Sequence, residues 1–178
     1  MRPIHPFVPN GETPSYVVQY HPYDPRLPAA FAEVRRLIQE AAGPLTVEHV
    51  GSTSIPGVGG RNAIDIAVPV AETARQAVQN AMYRLGFEDS PFPHYLPLLV
   101  GRFSWRGAEY PVLLYLVQPE SRVYEDWLSF RAYMRSNPTD ARAYDEVKRQ
   151  AVGSGSVDGE QYQAAKTPFV ESVAAKLR

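Results

Sequence analysis

Residues Val47–Val70 read VEHVGSTSIPGVGGRNAIDIAVPV, and the rest of the chain is organised around them. Thr46 to Val50 is a short apolar run ending at a glycine, the pattern of a buried strand. Gly51 allows a sharp turn without a Cβ clash. Ser52, Thr53 and Ser54 then place three hydroxyls beside backbone N–H groups, a combination that attracts phosphate. Pro56 and Gly57 hold any helix begun here to about one or two turns. Gly59-Gly60-Arg61-Asn62 breaks the chain again and brings in a cation. Ala63 to Val70 alternates as a second strand, with Ile64, Ile66, Val68 and Val70 toward a core and Ala63, Asp65 and Ala67 on the other face.

Aspartate is depleted in strands, so Asp65 needs a reason. Small neighbours leave it room for a ligand. A carboxylate beside a phosphate-binding turn suits a magnesium–nucleotide complex, in which the metal shares protein and phosphate oxygens. Glu48 and His49 on the preceding strand are the further candidates, Glu48 as metal ligand and His49 as ligand or base. Strict alternation forbids both from facing the same pocket. The glycines fit neither a P-loop nor a Rossmann turn, because no Lys-Ser or Lys-Thr follows and the spacing is wrong. A serine hydrolase built on Ser52 or Ser54 with His49 lacks an acid partner and a nucleophile elbow.

The run from Glu48 to Gly57, followed by Ile64-Asp65-Ile66, resembles the GrpB family, and the similarity extends from about Tyr16 to the C-terminus. Tyr162, Lys166 and Pro168-Phe169 also match that family's pattern. The resemblance implies a nucleotidyltransferase (polymerase-β-like) fold: α/β, with a small, mixed, mostly antiparallel sheet packed by helices. It implies a nucleoside triphosphate or other phosphate-bearing small molecule as ligand, with magnesium as cofactor. Carried over residue by residue, Gly51, Ser52, Thr53, Ser54, Arg61 and Lys166 would bind phosphate, Asp65 and Glu48 would hold metal, and Asp65, Glu48 and His49 would be catalytic. The chain departs from the pattern in three places. Arg61 replaces a lysine, Leu27 replaces a tryptophan, and Leu113-Leu114-Tyr115 stands where the family commonly has His-x-His. The wider superfamily's second acid falls on Ala67. The resemblance implies an enzyme that moves a nucleotidyl or phosphoryl group; these departures favour the alternative of a nucleotide- or anion-binding module without turnover.

At 178 residues, one domain is the expectation. A net charge of −1 gives no support to nucleic-acid binding. Without cysteine there are no disulfides or thiolate metal sites. No apolar run approaches the ~20 residues of a membrane helix, and the cytoplasm is the expected location.

Residues 1–28 hold seven of the 17 prolines and read as an extended lead-in on the surface, with Tyr16–Tyr20 an edge strand. Residues 29–178 read as a single nucleotidyltransferase-like domain with C-terminal helices from about residue 121. Helices are expected from Asp24-Pro25-Arg26 to Ala42, with a stripe of Leu27, Phe31, Val34 and Ile38, and from Glu72 to Leu85, with a stripe of Ala74, Ala77, Val78, Ala81 and Met82. Phe87 to Leu96 reads as a loop. Leu98–Trp105 and Glu109–Gln118 read as a hairpin turning at Arg106-Gly107-Ala108. Val123, Trp127, Phe130 and Met134 form a helical core stripe. Thr139–Ala151 is a further helix with Tyr144 and Val147 inside. Arg131 and Lys148 read as surface charges. Val152–Gly159 reads as a flexible connector or lid. In the last helix Lys166 is the one cation on a stripe with Tyr162, Phe169 and Val173, beside a break at Thr167-Pro168.

Overall fold

A computed structural model describes residues 2–5, 17–91, 94 and 96–177. Tyr16, Pro6, Pro9 and Pro93 lie outside the described residues. In chain order the elements are β1 (Val17–Gln19), α1 (Leu27–Ala42), β2 (Glu48–Val50), a single 3-10 turn (Ser52–Ser54), β3 (Ile64–Pro69), α2 (Glu72–Leu85), β4 (Glu88–Asp89), β5 (Leu98–Trp105), β6 (Ala108–Val117), α3 (Arg122–Ser136), α4 (Pro138–Val152), β7 (Ser156–Asp158) and α5 (Gly159–Lys176). Five strands form one sheet in the order β2-β3-β6-β5-β4. Only the β3–β6 pair is parallel, so the sheet is mixed and mostly antiparallel.

The alternation of β3 sets the layers. Ile64, Ile66 and Val68 enter the main core with Val112, Leu114 and Leu116 of β6, under the apolar faces of α1 and α2. Each such buried side chain contributes about 1.5–3 kcal/mol. Ala67 and Val50 face the other way and meet Val117 and the flanks of Tyr124, Trp127 and Leu128 on α3. A third cluster joins the 3-10 turn to the last helices through Ile55, Val58, Met134, Ala141, Tyr144 and Val173. The sheet therefore carries α1 and α2 on one face. The opposite face, bearing Asp65, looks toward α3, α4 and α5.

Helix ends follow the local chemistry. Gly86 takes a left-handed conformation and closes α2 on Met82 and Tyr83 carbonyls. Arg106 and Gly107, both at positive φ, make the tight turn between β5 and β6. Asp158 caps α5 by accepting from Glu160 N at 2.8 Å.

Several expectations change on contact with tertiary structure. The lead-in does more than wrap the surface: Ile4 is 1% exposed within the main core, and its amide donates to Leu85 O at 3.1 Å. Val152–Gly159 is no free connector. Its end is β7, which pairs antiparallel with β1, and Val157 packs with Val18, Val152 and Tyr162. The expected loop after α2 contains β4, which extends the sheet along β5. Strand β2 begins at Glu48 rather than Thr46. Ala74 and Ala77 are exposed, because α2 meets the sheet only through its last two turns. Helix α5 runs unbroken through Pro168.

Candidate functional site

A cavity of about 1120 Å³ opens on the Asp65 face of the sheet, between the 3-10 turn, α3 and α5. Gly51, Ser52, Arg61, Asp65, Tyr162 and Lys166 line it on one side, and Glu120, Arg122, Glu125, Asp126 and Glu171 belong to the same lining. The volume exceeds what a single phosphate needs and accommodates a nucleotide-sized molecule.

The turn is built from its own hydroxyls. Thr53 Oγ1 donates to Ala63 O at 2.6 Å, and Ser54 Oγ donates to Gly51 O at 2.6 Å. Both side chains are buried. Of the three hydroxyls in the sequence, only Ser52 lines the cavity. Thr53 and Ser54 therefore shape the turn rather than offer side-chain donors to a ligand. Gly51, at φ 69°, brings the backbone so close to β3 that any Cβ would overlap Asp65 Oδ2. Asp65 and the turn are in direct contact.

Asp65 is 9% exposed. Arg61 Nη2 lies 3.6 Å from its Oδ1. Burial pushes the Asp65 carboxyl above its ordinary range, and Arg61, Lys166 and Lys148 oppose that push. Lys166 lines the cavity over the Tyr162 ring at 5.2 Å. Its ammonium is pushed down to about 8 by burial and by Arg61.

The structure separates Glu48 and His49 from this group in different ways. Glu48 pairs with Ala67 and so shares the Asp65 face. Its carboxylate is occupied by Arg131 at 2.7 Å, which also donates to His49 O at 2.6 Å. His49 pairs with Ile66 and so points through the opposite face. There it stacks on Phe31 with centroids 4.6 Å apart and meets Thr53 Oγ1 at 3.0 Å. Burial, with Arg135 and Arg131, pushes the imidazole down to about 3. Arg131 is thus an internal tie, not a surface charge.

Lys148 was the residue least visible in the sequence. It is 0% exposed. Its Nζ donates to Gly59 O and sits 4.5 Å over the Tyr144 ring. Desolvation by burial pushes it down to about 7. The available signal was its place on the buried α4 stripe of Ala141, Tyr144, Lys148 and Val152, at spacings of three and four. A second group missed in the sequence braces the Gly59-Gly60 segment from outside. Tyr20 Oη donates to Asp145 at 2.9 Å, Asp145 accepts from Gly59 N at 2.7 Å, and His21 and Gly60 exchange backbone hydrogen bonds.

A protein-held magnesium pair needs several oxygen ligands. Among the described residues no three His, Cys, Asp or Glu side chains gather to hold a metal ion. Asp65 instead has three cations as its charged neighbours. The donor set does not fit a protein-held magnesium centre. It fits an anion.

A sequence profile described as GrpB protein matches residues 17–176. The chain belongs to the GrpB family. A UPF0157 protein of Streptomyces coelicolor is 28% identical over 159 residues, covering 86% of this chain and 81% of its own. A UPF0157 protein of Halalkalibacterium halodurans is also 28% identical over 159 residues, covering 85% and 77%. The crystal structure of the GrpB protein from Enterococcus faecalis superposes with a TM-score of 0.69 at 24% identity, over 89% of this chain and 96% of that one. Cid1 poly(U) polymerase, in a structure described as MgGTP-bound, gives 0.54 at 13% identity, over 73% of this GrpB chain and 44% of the polymerase. The fold is therefore α/β with a mixed sheet, structurally similar to the polymerase-β-like Cid1 catalytic domain. Among the described residues, no helix of this GrpB protein is long and apolar enough to cross a membrane.

Proposed function

We propose that the cavity binds a nucleoside triphosphate or another phosphate-bearing small molecule, with the phosphates at the Ser52 turn. The carrying observation is the charge pattern: Arg61 and Lys166 line a nucleotide-sized cavity beside Asp65, and the buried Lys148 adds its charge at that carboxylate. Opposite charge in a partly dry site is worth several times what it is in water. Arg61 and Lys166 neutralise the phosphates, Ser52 donates one hydrogen bond, and Asp65 orients Arg61. The likeness to a polymerase described with bound MgGTP supports the nucleotide as ligand class.

Nucleotidyl transfer is the second reading. The observation favouring it is that Asp65 lines the cavity beside Ser52. Against it stand Leu113 and Tyr115 on the strand beside Asp65 and Ala67, where no acid or histidine occurs.

Calorimetry with ATP, in EDTA and in magnesium, tests binding. Binding in EDTA, weakened about tenfold or more by Arg61→Met, is the expected result. No binding under either condition would remove the proposal. Release of pyrophosphate from labelled triphosphate, offered with candidate acceptors, would establish transfer and displace the binding-module reading.

A further inference from the structure

The wall of the cavity on the α3 side is aromatic. Val123, Trp127, Phe130 and Met134 recur at helical spacing, the pattern of a stripe that packs into a core. Of the four, only Met134 is buried. Val123, Trp127 and Phe130 line the cavity instead. Tyr115 of β6 joins them. It pairs with Ala67 and so stands on the Asp65 face of the sheet. The Tyr115 and Trp127 rings meet edge to face with centroids 5.1 Å apart, and the His94 ring tilts against Tyr115 from 5.1 Å. Trp127 and Tyr115 are half-buried, held from behind by Val50, Ala67 and Val117.

Charge decides which part of a ligand meets this wall. Arg61 and Lys166 line the cavity beside Asp65. Glu125 and Asp126, on the same helix as Trp127, line it too, and Arg122 is engaged by Asp126 at 3.7 Å. A phosphate is drawn to the first group and repelled by the carboxylates of α3. The Ala67–Tyr115 pair lies two residues along the strands from the Asp65–Leu113 pair. That is a step of roughly 7 Å, about the reach of a pentose.

We propose that Trp127 and Tyr115 seat an aromatic base, so that the ligand of the cavity is a nucleotide rather than a bare polyphosphate or a phosphorylated sugar. The proposal rests on the phosphate-binding reading above and names the other end of the same molecule. Every base has a π face, and indole and phenol rings stack on it. Two rings already fixed against each other lose little freedom when a third arrives. Covering an apolar wall also releases its water. Tyr115 belongs to the Leu113-Leu114-Tyr115 segment in which this chain departs from its family's pattern, so the seat is built from this chain's own residues.

The test is calorimetry of the full chain with ATP and with inorganic tripolyphosphate, which offers three phosphates and no ring, in EDTA and again in magnesium. ATP is expected to bind about tenfold more tightly, and Trp127→Leu is expected to close most of that gap. A second readout leaves the seat intact. The chain has 2 tryptophans, and Trp105→Phe makes Trp127 the sole one. Saturable quenching of its emission by ATP, and none by tripolyphosphate, is expected in that variant. Should Trp127→Leu fail to fold, the wild-type affinity ratio and the quenching decide. Equal affinity of the wild type for the two compounds, an undiminished gap in Trp127→Leu, or unquenched Trp127 emission at saturating ATP would each overturn the base seat and leave the phosphate reading standing. Wild-type protein that binds neither compound under either condition would overturn that reading as well.

Discussion

His49 donates from Nε2 to the hydroxyl of Thr53, 3.0 Å away. The direction follows from bookkeeping of protons: Thr53 has one hydroxyl hydrogen and gives it to Ala63 O. The neutral imidazole must therefore carry its hydrogen on Nε2. A residue read as a base is placed by the structure as a strut, tying β2 to the turn and the turn to the start of β3.

That strut makes stability acid-sensitive. His49 stands at about 3 when folded against 6.5 in the ordinary state. Between those values the unfolded chain binds the extra proton, so stability is lost as pH falls below 6.5. The slope approaches about 1.4 kcal/mol per pH unit. Urea unfolding at pH 7.5 and 5.5 checks it. Wild type is expected to lose about 1 kcal/mol between them, and His49→Phe, though less stable at pH 7.5, is expected to lose much less. Equal losses in the two proteins would remove His49 as the source.

The backbone contact beneath Asp65 leads to a second expectation. Gly51→Ala would force a Cβ onto the Asp65 carboxylate at a φ that side chains rarely adopt. Left-handed strain alone costs about 1–3 kcal/mol. A loss of more than about 2 kcal/mol in urea unfolding is expected, together with weakened ATP binding, because a displaced Asp65 would no longer hold Arg61, its ion-pair partner at 3.6 Å. Wild-type stability in this variant would show that the turn can withdraw from β3.

What could be read along the chain was whatever depends on near neighbours. The alternation of Ile64, Ile66 and Val68 placed Asp65 on the far face, and Gly86 and Arg106-Gly107 marked a helix end and a hairpin. Contacts between distant segments left no such trace. Nothing near Ile4 announces that Leu85 will accept its amide. Ser156–Asp158 looks like a linker until Val17–Gln19 lies beside it. Three successive hydroxyls look equivalent, and only the positions of Ala63 and Gly51 carbonyls turn Thr53 and Ser54 inward. Lys148 reads as a surface charge because lysine is almost never fully buried. Here a carbonyl and an aromatic ring receive it.

The brace on Gly59 has its own consequence. Tyr20 Oη reaches Asp145 Oδ1 at 2.9 Å and Oδ2 at 3.0 Å, while Asp145 Oδ1 accepts from Gly59 N at 2.7 Å. Burial and this carboxylate push the Tyr20 phenol up to about 12, so it remains a donor at neutral pH. Tyr20→Phe should cost about 1 kcal/mol, and Asp145→Ala about 1–3 kcal/mol, because the latter strands two donors. The double variant should cost less than the sum. Strict additivity in denaturant unfolding would mean that the two groups do not act together.

Asp65→Asn separates an anion site from a metal site by the sign of its effect. The amide keeps the shape beside Gly51 and removes the negative charge that faces Arg61 and Lys166. An anion held by those cations loses a repulsive neighbour. ATP affinity in EDTA is therefore expected to stay level or to rise, by up to about tenfold. A ligand held through magnesium would behave oppositely, since the variant gives up the carboxylate facing it. Calorimetry in EDTA and in magnesium gives both numbers from one protein preparation. Weaker binding of ATP to Asp65→Asn in EDTA would mean that the carboxylate accepts a hydrogen bond from the ligand, and the three-cation account of the cavity would fall.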